Sequence, residues 1–470
     1  MPDAMKQHIM NLLTSTDPDV RRLAAEELGT CETDEAISAL AAGLWDENKG
    51  VRDAAARSLC NHDGAKVAQA IVDLIRDENI VTRNLIGELL LRWGKGSIQA
   101  IVPYMQDQSC DVRKFAVDIL GLIGNADLIP DILPLLDDSD ENVVLAAVEA
   151  LGNIGDKEAL PHLIRTFESQ EYTKTFTAEA IGKIGSQDAC DFLVITLQEE
   201  LGKETPDALL MYAVIEALGI CGNEFALKLL QDHVLKVEGK LRNVMLQSMV
   251  QIGERLQKRV QFSNDLKQDL INAFQSEEGN GKIAAAKGLA QFNDHEVVRL
   301  LISAVGTSEE LDTVIVPIVE ANDESFRIAV EVLQRTRASR TAGRKEIIRL
   351  LSKVAARFIR EFPERKVFPL DDSLFNRAFE LVAREWGPAD EQARAVIIDT
   401  LFRLDGDRAV EFMDNVMADP DRWLRIHAIE LLAGVADKRA PQFIARFLND
   451  EDEMVREVAA SSLQLQSEAY

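Results

Sequence analysis

The sequence predicts an all-α chain, a superhelix of repeated helical hairpins. Three observations lead there. An apolar anchor inside a shared motif recurs about every 31 residues, first at Val20, Val51, Val81, Val112 and Val143 and later at Leu424 and Val455. The apolar residues are mostly Leu, Ile, Val and Ala, with aromatics at only 6%, which suits closely packed helices better than sheets. The chain has 470 residues, more than one hydrophobic core usually serves, so it must divide or repeat.

The first helix of each unit opens on a residue able to cap it. Asp17, Asn48, Ser109, Asp140, Asp421 and Asp452 stand three residues before the anchor, where a side-chain oxygen satisfies free N–H groups. Pro18 and Pro420 are expected at the first or second helical position, where a missing donor costs nothing. The anchor, the following alanines and a closing Leu fall at i, i+4 and i+8, one apolar stripe at helical period. Gly121, Gly152, Gly182 and Gly219 follow the last core residue, and a second glycine comes three later at Gly124, Gly155, Gly185 and Gly222. Both sets are expected to end the helix and permit a tight turn.

A second helix follows in each unit, as in the segments from Ala36, Leu128 and Ala159. Pro130 and Pro161 sit near its start, and Pro134 lies further in, where it should bend the helix. One hairpin cannot bury its own apolar face, whereas a stack of them can.

These residues carry a resemblance. The pattern Asp-x-x-Val-Arg-x-x-Ala-x-x-Ala-Leu-Gly-x-Ile-Gly, followed by Ala-x-Pro-x-Leu, resembles the HEAT repeat, in the phycobilisome-lyase-like subtype of bacteria. Gly121 to Gly185 fits best. The likeness is strong over about residues 12–235 and 405–465, and the stretch between is divergent. It implies a right-handed solenoid of about 13–15 hairpins whose second helices line a concave face. The expected divisions are 1–235, regular repeats; 236–404, divergent repeats with a basic helix; and 405–470, C-terminal repeats and cap. The resemblance also implies that the arginines after the anchor (Arg21, Arg52, Arg113, Arg425, Arg456) pair with aspartates of neighbouring units. Val144 interrupts that row.

Formal net charge is −27, and residues 1–200 alone hold 35 acidic against 17 basic residues. Such a surface repels phosphate backbones, so nucleic acid is disfavoured as a general partner and basic protein surfaces are favoured. Cys31, Cys60, Cys110, Cys190 and Cys221 include no C-x-x-C pair and read as reduced thiols acting as small hydrophobes. The opening residues form no apolar signal segment, no apolar run approaches the ~20 residues of a membrane helix, and the expected location is cytoplasmic. The polar tail at Ser467–Tyr470 and the charged opening residues fit an array capped at both ends.

Catalysis needs a nucleophile with a base, a metal cluster or a cofactor loop. The sequence presents no P-loop, and the paired glycines follow helices rather than precede them. Cys60 and His62 lack further ligands at zinc spacing. His427 and Glu430, at i and i+3, read as a surface hydrogen bond rather than half of a di-iron site. Deoxyhypusine hydroxylase, an enzyme of this repeat class, binds iron through several His-Glu dipeptides; here only His295-Glu296 occurs. No catalytic residue, metal or cofactor is assigned.

One stretch departs from the acidic background. Residues 335–366 carry eleven cations against Glu346, Glu361 and Glu364. A long helix is expected over about Gly343–Phe362, with Lys345, Arg349, Lys353 and Arg357 four apart on one face and Ile347, Ile348, Leu350, Leu351, Val354, Phe358 and Ile359 on the other. Arg340, Arg344, Lys345, Arg349, Lys353, Arg357 and Arg360 are therefore the candidate contacts for an acidic protein partner. The alternative is an internal role against Glu320, Asp323, Glu324, Asp371 and Asp372. Hinges are expected at the polar link from Arg337 to Gly343 and at the loop from Phe362 to Pro369. The expected function is a non-catalytic protein-binding scaffold. A second class is lyase-like or chaperone-like handling of a tetrapyrrole such as a bilin, and a third is nucleic-acid binding through the basic helix.

Overall fold

The computed structural model describes residues 2–77, 79–335, 341–361, 372–387, 389–435 and 437–468. These residues form α-helices and short 3-10 turns, with no strand among them. They fold as two compact units, Met1–Arg259 and Val260–Tyr470.

In the first unit seven described hairpins follow helix Pro2–Thr14, and helix Gly239–Arg255 closes the run. First helices of consecutive hairpins pack on one another along the run Cys110–Ile123, Glu141–Ile154, Lys174–Ile184 and Ala208–Cys221. The expected caps stand in place: Asp17, Asn48, Asp140 and Asp421 each accept a backbone N–H two residues on. Ser109 occupies the cap position without that bond. Pro134 breaks its helix into Ile129–Ile132 and the 3-10 turn Leu133–Asp137, the expected bend.

The two glycine sets have different jobs, contrary to expectation. The helices run on through Gly121 and Gly152. A Cβ on Gly121 would stand 2.6 Å from Ala150 Cα, and one on Gly152 2.7 Å from Ala180 Cα. The first glycine therefore lets consecutive helices touch backbone to backbone. Only the second ends the helix: Gly124, Gly155 and Gly185 take φ of +68°, +71° and +66°. Gly222 keeps a negative φ, at −55°.

Two of the expected anchors are not buried, and one of them, Val81, is out of register. Val51, Val112, Val143, Leu424 and Val455 are buried, but Val20 is 36% and Val81 68% exposed. Helix Ile80–Trp93 is capped by Asn79, so the position three after the cap is Thr82, which is buried. Val81 lies one residue early, and one residue turns a helical side chain by about 100°. Pro420 likewise stands before its cap, Asp421, and not within the helix.

The second unit repeats the hairpin plan from helix Lys267–Ser276 to Glu453–Glu468. Its C-terminal core gathers Ile398, Val410, Met413, Leu424, Ile429, Phe447 and Val455. Further in, Phe326 and Phe375 stack with ring centroids 4.7 Å apart. Of the expected hinges, 337–340 and 362–369 lie outside the described residues, and Thr341 to Gly343 open helix Thr341–Glu361 rather than form a link. No described helix is long and apolar enough to cross a membrane.

Candidate partner-binding cleft

The basic stretch forms helix Thr341–Glu361. Ile347, Ile348, Leu350, Leu351 and Val354 are buried, as the helical period requires, while the side chains of Phe358 and Ile359 lie outside the described set.

The seven candidate cations separate into four groups. Arg340 lies outside the described residues. Arg344 and Arg357 face inward. Arg344 is 8% exposed; its Nε donates to Glu385 Oε2 at 2.8 Å and its Nη1 to Leu333 O at 3.0 Å. Arg357 donates through Nη2 to Asp323 Oδ1 at 3.1 Å and to Asn322 O at 3.3 Å. For these two the internal role holds, because a guanidinium that far from water needs a fixed acceptor. Glu324 instead pairs with Arg327, at 2.6 Å. Arg360 is exposed beyond the stripe.

Lys345, Arg349 and Lys353 line a cleft of about 890 Å³. Lys345 Nζ reaches Gln392 Oε1 at 2.9 Å, and Arg349 Nη1 reaches Glu346 Oε1 at 2.7 Å. The facing wall is helix Glu309–Glu320 with the turn before it, and Asp390 and Ala393 complete the rim. Five carboxylates share this cleft with the three cations: Glu309, Asp312, Glu320, Glu346 and Asp390. The sequence reading named Glu320 and Glu346 and missed Glu309, Asp312 and Asp390, which lie outside the basic helix. Asp312 is anchored by the Gly306 N–H, at 2.9 and 3.0 Å from its two oxygens. Burial pushes its carboxyl above the usual carboxylate range, and nearby Glu346 adds to the shift. The cleft is thus bipolar, cationic along one helix and anionic along the other.

The arginine row takes a different course. Arg113 reaches Asp138 with Nη2 at 2.7 Å and Nε at 2.9 Å, while its Nη1 donates to Asp107 O at 2.9 Å. Arg21 and Asp46, and Arg425 and Asp450, repeat the arrangement at the same spacing of 25 residues. Arg394 and Asp419 join it, a pair the sequence reading did not name. Each such aspartate also accepts the N–H of the following cap residue, as Asp138 does from Asp140. Arg52 and Arg456 donate to turn carbonyls instead: Arg52 Nη1 to Asp46 O, and Arg456 Nη1 to Asp450 O. The row is structural. His427 Nε2 meets Asp399 Oδ1 at 2.8 Å, a hydrogen bond between neighbouring helices.

The family model for HEAT repeats matches residues 7–90, 98–175 and 385–464, more than half of the sequence. The chain belongs to the HEAT-repeat family. Most of the cleft's lining, from Gly306 to Lys353, lies between the matched segments, and Asp390 and Ala393 fall at the start of the last one. No curated protein sequence matches this HEAT protein. Among solved structures, Kap95p with RanGDP aligns at a TM-score of 0.55 and 12% identity, covering 98% of this chain and 72% of that one. Importin beta aligns at 0.46 and 11% identity, over 99% and 78%. The CpcE–CpcF complex of phycocyanin lyase from Nostoc sp. PCC7120 aligns at 0.32 and 20% identity, over 50% and 92%. The likeness to Kap95p, at 12% identity, shows a shared helical-repeat fold and nothing finer.

Proposed function

We propose that this HEAT protein is a non-catalytic protein-binding scaffold, acting in the cytoplasm, and that the cleft beside helix Thr341–Glu361 grips a polar segment of its partner. The observation that supports this is the opposition of Lys345, Arg349 and Lys353 to Glu309, Asp312 and Glu320 across one open cleft. A segment carrying acidic side chains along one edge and basic ones along the other complements both walls. Complementary charge sets register and rejects wrong partners more than it adds raw affinity. The two halves of the helix's charge then have separate work. Arg344 and Arg357 hold the helix in place, and the three cleft cations meet the partner.

The test is affinity capture from the native cytosol, comparing wild type with Lys345→Glu/Arg349→Glu/Lys353→Glu. A partner held by wild type and lost by the folded variant supports the reading. A partner held equally by both removes the cleft from it and directs attention to the acidic first unit.

A further inference from the structure

The turns that carry the arginine row contain one acceptor without a donor. Six described aspartates, Asp46, Asp77, Asp107, Asp138, Asp419 and Asp450, stand two residues before a helix cap and accept its N–H through Oδ1. Five of them also hold an arginine, from Arg21, Arg76, Arg113, Arg394 and Arg425, at 2.6 to 2.9 Å. Asp77 is the exception. Its Oδ1 takes the Asn79 N–H at 3.0 Å, while its Oδ2 is buried and meets no donor among the described residues. Arg52 stands 25 residues before it, the spacing of Arg21 and Asp46, but donates through Nη1 to Asp46 O and Glu47 O. A carboxylate oxygen withdrawn from water with no donor is costly, and a cation that reaches it removes that cost.

Asp77 lines a cleft of about 450 Å³ in the first unit. Trp45, Val81 and Leu85 give this cleft apolar walls, and Glu47, Arg52 and Asp77 give it charge. Asp46 also borders it, but Arg21 already holds that carboxylate. Trp45 is 52% exposed, and Val81 is turned outward because Thr82 takes the buried place. Asp77 as a whole is only half-buried, so a donor approaches it from the cleft.

We propose that this cleft holds an arginine side chain of a basic partner segment. The guanidinium bonds the Asp77 carboxylate and lies against Trp45, and an apolar neighbour in the same segment packs on Val81. Arginine suits the place better than lysine. Its planar fork matches a carboxylate, as Arg113 does at Asp138, and its flat face stacks on an indole. Residues 1–200, with 35 acidic against 17 basic, attract such a segment at longer range. The site is additional to the cleft beside helix Thr341–Glu361 and does not depend on it.

The probe is a short peptide with one arginine between two leucines, added to the intact chain. Binding is followed by NMR at the Trp45 indole N–H, assigned with Trp45→Phe. Matched peptides replace the arginine with citrulline, which keeps its shape without its charge, or with glutamate. The arginine peptide should shift the Trp45 signal, and Asp77→Asn should weaken its binding by about tenfold or more. The other two peptides should leave the signal in place. Equal binding of the citrulline peptide would make the cleft a purely apolar site. Binding of the glutamate peptide would point to Arg52, and no shift with any peptide would deny the cleft a basic partner. Each of these three results overturns the proposal. Urea unfolding adds a measurement that needs no peptide. Asp138→Asn should lower the midpoint, and Asp77→Asn should leave it near wild type. Equal losses would mean that Arg52 closes on Asp77 within the chain, which overturns the proposal as well.

Discussion

Arg113 and Asp138 meet through two parallel hydrogen bonds, at 2.7 and 2.9 Å, although 25 residues separate them. Arg113 also holds the turn before its own helix, through the carbonyls of Asp107 and Gln108. One side chain thus ties two successive turns together. Removing either partner leaves the other desolvated and unpaired, with side chains only 13% and 9% exposed. Arg113→Ala should destabilise the first unit by about 2–4 kcal/mol, read as a lower urea midpoint.

The same pair sets an acid dependence. The Arg113 hydrogen bond holds the Asp138 carboxyl below its ordinary value of 3.8. A depressed folded value contributes stability that is present above the unfolded value and lost as pH falls through the folded one. Asp138→Asn should therefore be less stable than wild type at neutral pH, and the gap should close as pH drops below 3.8. Urea titrations of both chains at several pH values check this; a gap that persists in acid would assign the effect to packing.

The glycines give a paired comparison. Gly152→Ala drives a methyl into the Ala180 backbone and should cost about 1–3 kcal/mol through forced separation of two helices. Gly124→Ala meets nothing within 4 Å and pays only for its left-handed φ of +68°, about 1–2 kcal/mol. Thermal melts separate the two. In the first, strain should spread to the neighbouring helix and show as faster amide exchange around Ala180; in the second, exchange changes should stay at the turn.

His427 adds an alkaline dependence. The Asp399 hydrogen bond raises its imidazole above 6.5, assisted by Glu430. A raised folded value contributes stability that is complete below the unfolded value and lost as pH rises through the folded one. Asp399→Asn should lower the melting temperature of the chain near pH 6, and the difference should vanish in mildly alkaline buffer. Following the His427 ring by NMR titration gives the same answer independently.

Arg344 and Arg349 sit five residues apart on one helix yet should behave oppositely. Arg344→Ala strands Glu385 and should destabilise the second unit by about 3 kcal/mol. Arg349→Ala, half-exposed beside Glu346, should change stability by less than about 1 kcal/mol while weakening capture of the partner. Loss of capture in the first without loss of fold would move the partner surface to the buried pair.

Much of this architecture was legible because each unit announces itself locally. A cap, an anchor and an alanine stripe lie within one helix turn or two, so Asp140, Val143 and Ala147 could be read without knowing any neighbour. The failures have the same origin. Val81 misled because it matched the anchor by type, and only the cap at Asn79 fixes the register that buries Thr82. Gly121 and Gly124 look alike in sequence, and their difference is the presence of Ala150 against one of them.

The sequence by itself determined the helical hairpins, their period and the basic face of helix Thr341–Glu361. Those depend on periodicity and capping, which act within a few residues. Tertiary structure alone decided which cations stay available. Arg344 is taken by Glu385, 41 positions on, and Arg357 by Asp323, 34 positions back. The carboxylates that make the cleft bipolar come from separate helices. A charge in water costs little, and one facing a neighbouring helix must find its counter-charge there. That choice is made by packing between hairpins, which no local pattern records.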